Sequence, residues 1–138
     1  MKLIGFNLTK MDLEKKSDNL KDLKISTSID ILDVKEVKSD FLNSSGSLMG
    51  VKFEYLINYE KDIAFLKFYG NIVVSMDPKQ ADEITSKWKD KKLPEGFKLA
   101  IFNIILRKST IKALQFEEEL NLPLHMPFPS FKSTGKKK

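Results

Sequence analysis

The chain has 138 residues, of which 41% are hydrophobic and 31% charged, a composition typical of a globular protein. It contains no cysteine, which excludes disulfide scaffolds, zinc ribbons, thiol redox chemistry and cysteine nucleophiles. The formal charge is +5, from 24 Lys and Arg against 19 Asp and Glu. This length is enough to bury a hydrophobic core without metal or disulfide staples.

The excess positive charge is concentrated at the C-terminus. Four lysines lie within the last seven residues, which contain no acid: Lys132, Lys136, Lys137 and Lys138. Removing these four leaves 20 basic and 19 acidic groups, a net charge of +1, for residues 1–131. The only arginine is Arg107, whereas base readout relies on the bidentate guanidinium group. We predict a single domain over 1–131 and a flexible lysine-rich tail over 132–138, with nucleic acid contacted only through the tail.

No targeting or membrane segment is visible in the sequence. Residues 1–10 contain no basic patch followed by an apolar run, as a signal peptide requires. No apolar stretch approaches the roughly 18 to 20 residues of a spanning helix. We therefore expect a cytoplasmic protein that does not insert into membranes.

The first half of the chain shows the two-residue periodicity of strands. Leu3–Lys10 is a predicted strand with Ile4, Phe6 and Leu8 on one face. Ile25–Val34 alternates isoleucine with serine and aspartate, which predicts a half-buried strand.

Two polar segments connect these strands to their neighbours. Met11–Lys24 fits either a long crossover or a short helix, and its pattern does not decide between them. Ser39–Gly50 is rich in Asn, Ser and Gly and is a predicted loop.

The clearest pair of strands follows. Val51–Tyr59 carries an apolar residue at every second position, and Glu60–Asp62 is a predicted turn. The return strand, Ile63–Val74, is apolar on both faces, which is unusual for an antiparallel strand in a small two-layer domain. This pattern predicts a second covering layer, such as another subunit.

The second half of the chain has helical periodicity. Asp77 and Pro78 form a predicted N-cap and first helical position of a short helix that ends before Leu93. A long amphipathic helix is predicted from Glu95 to Leu120, with this apolar stripe: Phe97, Ile101, Ile104, Ile105, Ile111 and Leu114.

Two further features of the long helix affect its environment. Leu99, Phe102 and Leu106 make its first half apolar almost all round, which predicts burial of a second face in a homo-oligomer. The acidic run 117–119 lies at the unfavourable end of the helix dipole. It is interpreted as a solvated cluster, with a docking patch as the alternative.

The segment Leu120–Phe131 reads LNLPLHMPFPSF, with three prolines and several large apolar residues. Proline at this density disfavours a helix or a central strand, so the segment is a predicted extended ribbon. Exposed apolar surface costs about 25 cal/mol per Å², so the ribbon is expected to pack on its own helix or to line a groove for other apolar chains.

Sequence signals for catalysis are nearly absent. The only histidine, His125, has no supporting acid nearby in the ribbon and is interpreted as a packing residue. The carboxylates match no EF-hand loop, and no GxxxxGK[ST] or GxGxxG string is present. We therefore predict that the chain is not an enzyme and needs no cofactor or metal.

The order of elements and the string Glu119 to Pro123 after the long helix resemble the SecB family of export chaperones. The resemblance implies an α+β fold with a four-stranded antiparallel sheet followed by a short helix and a long amphipathic helix. It also implies a dimer or tetramer that holds unfolded chains in apolar surface grooves. The chain departs from well-known bacterial members, which are acidic and carry a final helix where only KSTGKKK follows Phe131. These departures argue against docking on a translocation motor, and the alternative is a toxin–antitoxin-associated or archaeal-style SecB-like role with different partners.

Carried over to this sequence, the resemblance implies two walls of a peptide-binding groove. One wall follows the long helix and comprises Leu122, Leu124, Met126, Phe128 and Phe131. The other wall comes from the segment Met11 to Leu23, with these leucines: Leu13, Leu20 and Leu23. Met and Phe suit promiscuous binding because their side chains repack around varied partners.

Two functional hypotheses follow. The first is an ATP-independent holdase that binds unfolded or preprotein chains in the apolar groove. The second is a small α+β interaction subunit that uses the basic tail for RNA, DNA or an acidic protein partner.

Overall fold

The computed structural model describes residues 1–37, 46–127 and 129–131. Four strands are followed by two helices, with these bounds: β1 Lys2–Lys15, β2 Ile25–Val37, β3 Ser47–Tyr59, β4 Ala64–Met76, α1 Pro78–Trp88 and α2 Glu95–Glu119. The predicted fold class, a four-stranded antiparallel sheet followed by a short and a long helix, is confirmed. The predicted tail over 132–138 and the predicted site residue Phe128 lie outside the described residues.

The sheet is antiparallel throughout, in the order β1-β4-β3-β2, so that β1 and β2 form its edges. A tight turn joins β3 to β4, as the sequence predicts. Lys61 and Asp62 adopt left-handed backbone conformations with φ of 64° and 61°, and the Ile63 N–H donates to the Tyr59 carbonyl at 3.2 Å.

The core lies between one face of the sheet and α2. On β3 and β4 the core-facing side chains alternate strictly, as half-buried sheets require: Val51, Phe53, Tyr55, Ile57 and Tyr59, with Ala64, Leu66, Phe68, Ile72 and Val74. Phe68 stacks on Tyr55 from the sheet and on Phe116 from α2, with both centroid distances at 6.3 Å. These contacts fix the C-terminal half of α2 over the centre of the sheet.

The predicted strand Leu3–Lys10 is too short, and one of its faces is partly wrong. β1 continues to Lys15, so the first five residues of Met11–Lys24 form neither a crossover nor a helix. A register shift between Leu3 and Gly5 turns Ile4 outward, where it is 51% exposed, while Leu3 packs against the core in its place. A bulge inserts one extra residue and so reverses the alternation of faces.

The predicted loop Ser39–Gly50 is wrong at its C-terminal end, because β3 begins at Ser47. Residues 38–45 lie outside the described residues. Gly50 does not mark a turn. A Cβ built on it would lie 2.8 Å from Val37 Cγ2, so the glycine allows close approach of the neighbouring strand.

The outer face of β4 is half-exposed, so the described residues of this chain do not supply the predicted second covering layer. Lysines from the N-terminal segment cover part of it. Lys10 Nζ lies 5.3 Å from the centroid of the Tyr69 ring, and Lys16 Nζ lies 5.5 Å from that of Phe65. Long lysine stems can cover aromatic surface while the ammonium stays in water.

α1 begins as the sequence predicts, with Asp77 accepting a hydrogen bond from the Gln80 N–H at 3.0 Å and with Pro78 in the first turn. In α2 all the buried side chains except Ile104 recur at every fourth position: Phe97, Ile101, Ile105, Ser109, Ala113 and Glu117. Four residues turn a helix by about 400°, so the buried face rotates by about 40° per step. The predicted stripe is therefore wrong at Ile111, which is 63% exposed.

A search of the described residues for a helix long and apolar enough to cross a bilayer finds none.

Candidate functional site

The C-terminal end of α2 reverses the chain through a Schellman motif. The Asn121 N–H donates to the Glu118 carbonyl at 3.2 Å, and the Leu122 N–H donates to the Glu117 carbonyl at 2.8 Å. Asn121 has a φ of 55°, the left-handed conformation that this motif needs and that asparagine tolerates. The string Glu119 to Pro123 therefore encodes a helix stop, with Leu122 folded back into the core and Pro123 blocking any continuation.

The segment after this stop, residues 120–131, is called the post-helix loop. Its described residues form neither helix nor strand, as predicted for the proline ribbon. The loop is anchored by a buried cluster of three polar side chains, Tyr59, Glu117 and His125. The sequence interpretation of Glu117 as a solvated acid is wrong, because its side chain is fully buried.

We call this cluster the anchor, and Glu117 lies at its centre. The Tyr59 hydroxyl donates to Glu117 Oε2 at 2.8 Å. His125 Nδ1 lies 2.9 Å from Oε2 and 3.0 Å from Oε1 of the same carboxyl group. The His125 backbone N–H donates to Oε1 at 3.3 Å. A buried carboxyl group is tolerated only when its oxygens are satisfied in this way.

The anchor also holds the backbone of the post-helix loop. The Tyr59 hydroxyl oxygen lies 2.5 Å from the Pro123 carbonyl oxygen, so its proton can be donated to Pro123 or to Glu117. Burial raises the pKa of the Tyr59 hydroxyl far above its usual range, and the hydrogen bond to Glu117 raises it further. Burial, with the Glu117 charge as the second cause, likewise raises the pKa of Tyr55. Both phenols therefore stay protonated, and Tyr59 acts as a hydrogen-bond donor.

Beside the anchor, an apolar cleft separates the loop from α2. Leu124 faces Leu114, Gln115 and Glu118 across a space of about 350 Å³. Two residues that follow Leu124 along the chain are exposed: Met126 is 41% exposed, and Phe131 is fully exposed. We call Leu114, Leu124, Met126 and Phe131 the loop surface.

The structure separates the predicted residues of the first wall. Leu122 is 5% exposed and belongs to the core, so it presents almost no surface to another chain in this conformation. Leu124 lines the cleft, and Met126 and Phe131 are exposed. Phe128 lies outside the described residues.

The leucines of the predicted second wall, Leu13, Leu20 and Leu23, are half-buried and pack against the core. The connection that carries two of them lies at the same end of the sheet as the post-helix loop. The Lys16 N–H donates to the Ile63 carbonyl at 2.7 Å, and the Glu60 N–H donates to the Lys24 carbonyl at 2.8 Å. Tyr59 lies next to the turn 60–62 at this end of the sheet and belongs to the anchor. Both predicted walls therefore start from the same end of the molecule.

Sequence reasoning did not find the anchor. His125 was expected to have no nearby acid, yet its partner Glu117 lies eight residues upstream across the helix stop. The available signal was the four-residue spacing of buried positions along α2, which places Glu117 on the core face. Within residues 1–37, 46–127 and 129–131, no group of three or more His, Asp or Glu side chains could hold a metal ion.

Comparisons with known proteins agree with this architecture. No family model matches the chain, and no curated protein matches it in sequence. Among solved structures, the chain is similar to the SecB-like chaperone Rv1957 of Mycobacterium tuberculosis in complex with a ChAD peptide from the antitoxin HigA1. The TM-score is 0.50 at 10% sequence identity, over 95% of this chain and 91% of that one. The chain therefore has a SecB-like fold.

Proposed function

We propose that this chain is an ATP-independent holdase that binds unfolded polypeptide at the loop surface. The observation that carries the proposal is the exposure of Met126 and Phe131 on a loop whose neighbouring residues are fixed by the buried anchor. A loop that is rigid at its base and apolar at its tip can offer hydrophobic surface without collapsing onto the core. Methionine and phenylalanine there can adapt to varied apolar segments.

Two further findings support the proposal. The SecB-like chaperone of Mycobacterium tuberculosis, which shares this fold, was solved with a bound peptide. The sequence contains neither of the phosphate-binding strings GxxxxGK[ST] and GxGxxG, so binding to exposed apolar segments is proposed to need no nucleotide.

Suppression of aggregation tests the site. We expect Met126→Ser combined with Phe131→Ser to leave the fold intact, because both side chains are exposed, and to reduce suppression of the aggregation of a heat-unfolded client severalfold. Each substitution removes apolar surface, and burial of that surface by a client contributes about 1 to 2 kcal/mol to binding. The measurement is light scattering of the client at fixed chaperone ratios.

The matched control for this variant is Ile4→Ser. The Ile4 side chain is 51% exposed on the edge strand β1, away from the loop. Equal suppression by the loop variant and the control variant would remove the loop surface from the proposal.

We also propose that the chain assembles as a homo-oligomer through the outer face of α2. Leu99 and Leu106 share one side of the helix and are 54% and 39% exposed. Buried residues such as Phe97 and Ile101 occupy the other side of the same turns. An exposed apolar stripe on a helix is typical of a face that binds another protein.

The oligomer is tested by its mass in solution. We expect multi-angle light scattering of the wild-type chain to give a dimer or tetramer, and Leu99→Glu combined with Leu106→Glu to give a monomer, because two buried charges destabilise the interface. The control is Gln80→Glu combined with Ser86→Glu, which adds the same charge at exposed positions of α1. A wild-type chain that is monomeric at every concentration contradicts this assignment.

A further inference from the structure

A second groove lies far from the anchor, between β2 and the N-terminal part of α2. Its volume is about 660 Å³. We call it the basic groove, and its lining includes Ile29–Leu32 of β2 with Trp88, Lys91, Lys92, Lys98 and Phe102. It is larger than the cleft beside Leu124, and it combines apolar walls with a rim of ammonium groups.

Lysines are the majority of the charged side chains that line this groove. Lys91, Lys92 and Lys98 line it together with two acids, Asp30 and Glu95, so that three lysines against two acids give the lining a net charge of +1. Among the described residues, Lys91, Lys92 and Lys98 form no ion pair with any acid. The three ammonium groups are therefore available to the carboxylates of a ligand.

The ammonium groups stand over aromatic rings. Lys91 Nζ lies 4.7 Å from the centroid of the Trp88 ring, and Lys98 Nζ lies 5.7 Å from that of Phe102. These cation–π contacts orient the two lysines along the groove, close to its apolar surface. A ligand that carries both carboxylates and apolar side chains can pair with the lysines and pack on the aromatic rings at the same time.

The backbone of β2 adds a third feature. β2 is an edge strand, and its pairing with β3 leaves the opposite edge without a strand partner in the described part of the chain. A register shift between Ile31 and Asp33 interrupts the ladder, and Leu32 beside it is 48% exposed. The edge that borders the groove before this shift can accept an added strand.

We propose that the basic groove binds an extended acidic segment of a partner protein. The segment adds as a strand along the Ile29–Ile31 edge and lays its apolar side chains against Trp88 and Phe102. Its carboxylates lie beside Lys91, Lys92 and Lys98. Charge complementarity selects an acidic partner, and the strand edge selects a polypeptide over a nucleic acid. This assignment does not rest on the holdase activity, which uses the loop surface.

Trp88 supplies the signal for the test, because it is the only tryptophan in the chain. The probes are two nine-residue peptides, one alternating Glu with Leu and the other alternating Lys with Leu. We expect the acidic peptide to change Trp88 fluorescence in a saturable manner, with weaker binding as salt is added. The basic peptide is expected to cause no saturable change.

The groove variant is Lys91→Glu combined with Lys92→Glu, which is expected to weaken binding of the acidic peptide at least about tenfold. The control, Lys79→Glu combined with Lys108→Glu, makes the same charge change at exposed positions outside the groove and is expected to bind like wild type. Circular dichroism checks that both variants are folded.

Four results overturn the proposal. They are equal binding of the two peptides, equal binding by the groove and control variants, tighter saturation of the Trp88 signal by an oligouridine than by the acidic peptide, and a Trp88 signal that changes with protein concentration alone. The last result assigns the groove to a second copy of the chain. Aggregation suppression by the groove variant is expected to equal that of wild type, so this test is separate from that of the holdase.

Discussion

Replacement of Glu117 by alanine is expected to lower the free energy of unfolding by about 3 kcal/mol or more. The variant removes one of the two acceptors of the Tyr59 hydroxyl and leaves His125 Nδ1 without its carboxylate, in a site that excludes water. Removing one partner of a buried polar pair costs this much because the other partner remains desolvated. Urea denaturation followed by circular dichroism measures the change.

Two further variants make the Glu117 prediction specific. Glu117→Gln keeps the shape of the side chain and one oxygen acceptor, so we expect a smaller loss than for alanine. Glu118→Ala removes an exposed neighbouring carboxylate and is expected to change stability by less than about 0.5 kcal/mol. If Glu117→Ala and Glu118→Ala unfold at the same urea concentration, the buried anchor is not a feature of the folded protein.

Replacement of Gly70 by alanine is expected to destabilise the sheet by about 3 kcal/mol. A Cβ at this position would lie 2.7 Å from Phe53 Cζ and 2.7 Å from the Asn7 carbonyl oxygen. The Phe53 ring lies across the glycine and stacks on Phe6 at a centroid distance of 5.5 Å. The added methyl group must therefore displace both a core ring and the backbone of β1, which is the cost of overpacking a filled core.

Gly96→Ala is the matched control for this substitution. A Cβ on Gly96 meets no atom within 4 Å, and alanine is the better residue inside a helix. We expect this variant to be as stable as wild type or more stable by up to about 1 kcal/mol. An unchanged urea midpoint for Gly70→Ala would show that the Phe53 ring does not lie across β4.

Most of the fold follows from periodicity that acts over a few residues. The two-residue alternation of β3, the turn at Lys61 and Asp62, and the cap formed by Asp77 and Pro78 all depend on local chemistry. The misplaced face of Ile4 depends on a bulge, which is set by pairing with a strand some seventy residues away. Alternation within one segment cannot show where a partner strand forces an extra residue.

The candidate site was less predictable because its parts are brought together by tertiary structure. The extended proline ribbon follows from its composition, whereas packing on the helix and exposure of residues such as Met126 and Phe131 are alternatives that the sequence leaves open. The anchor joins Tyr59 to Glu117 across 58 positions. Only the four-residue spacing of the buried positions along α2 places Glu117 on the core face, and nothing local indicates which side chains are its partners. Exposure of Ile111 likewise depends on how the buried face of α2 rotates across the twisted sheet.

The most direct test of the proposed function is the affinity of the chain for a polypeptide that cannot refold. A reduced and carboxymethylated protein with a fluorescent label serves as the client, and fluorescence anisotropy gives the Kd. For Met126→Ser combined with Phe131→Ser, we predict a Kd at least about tenfold higher than for wild type. Ile4→Ser is predicted to bind like wild type. A single Kd shared by all three proteins contradicts the assignment of client binding to the loop surface.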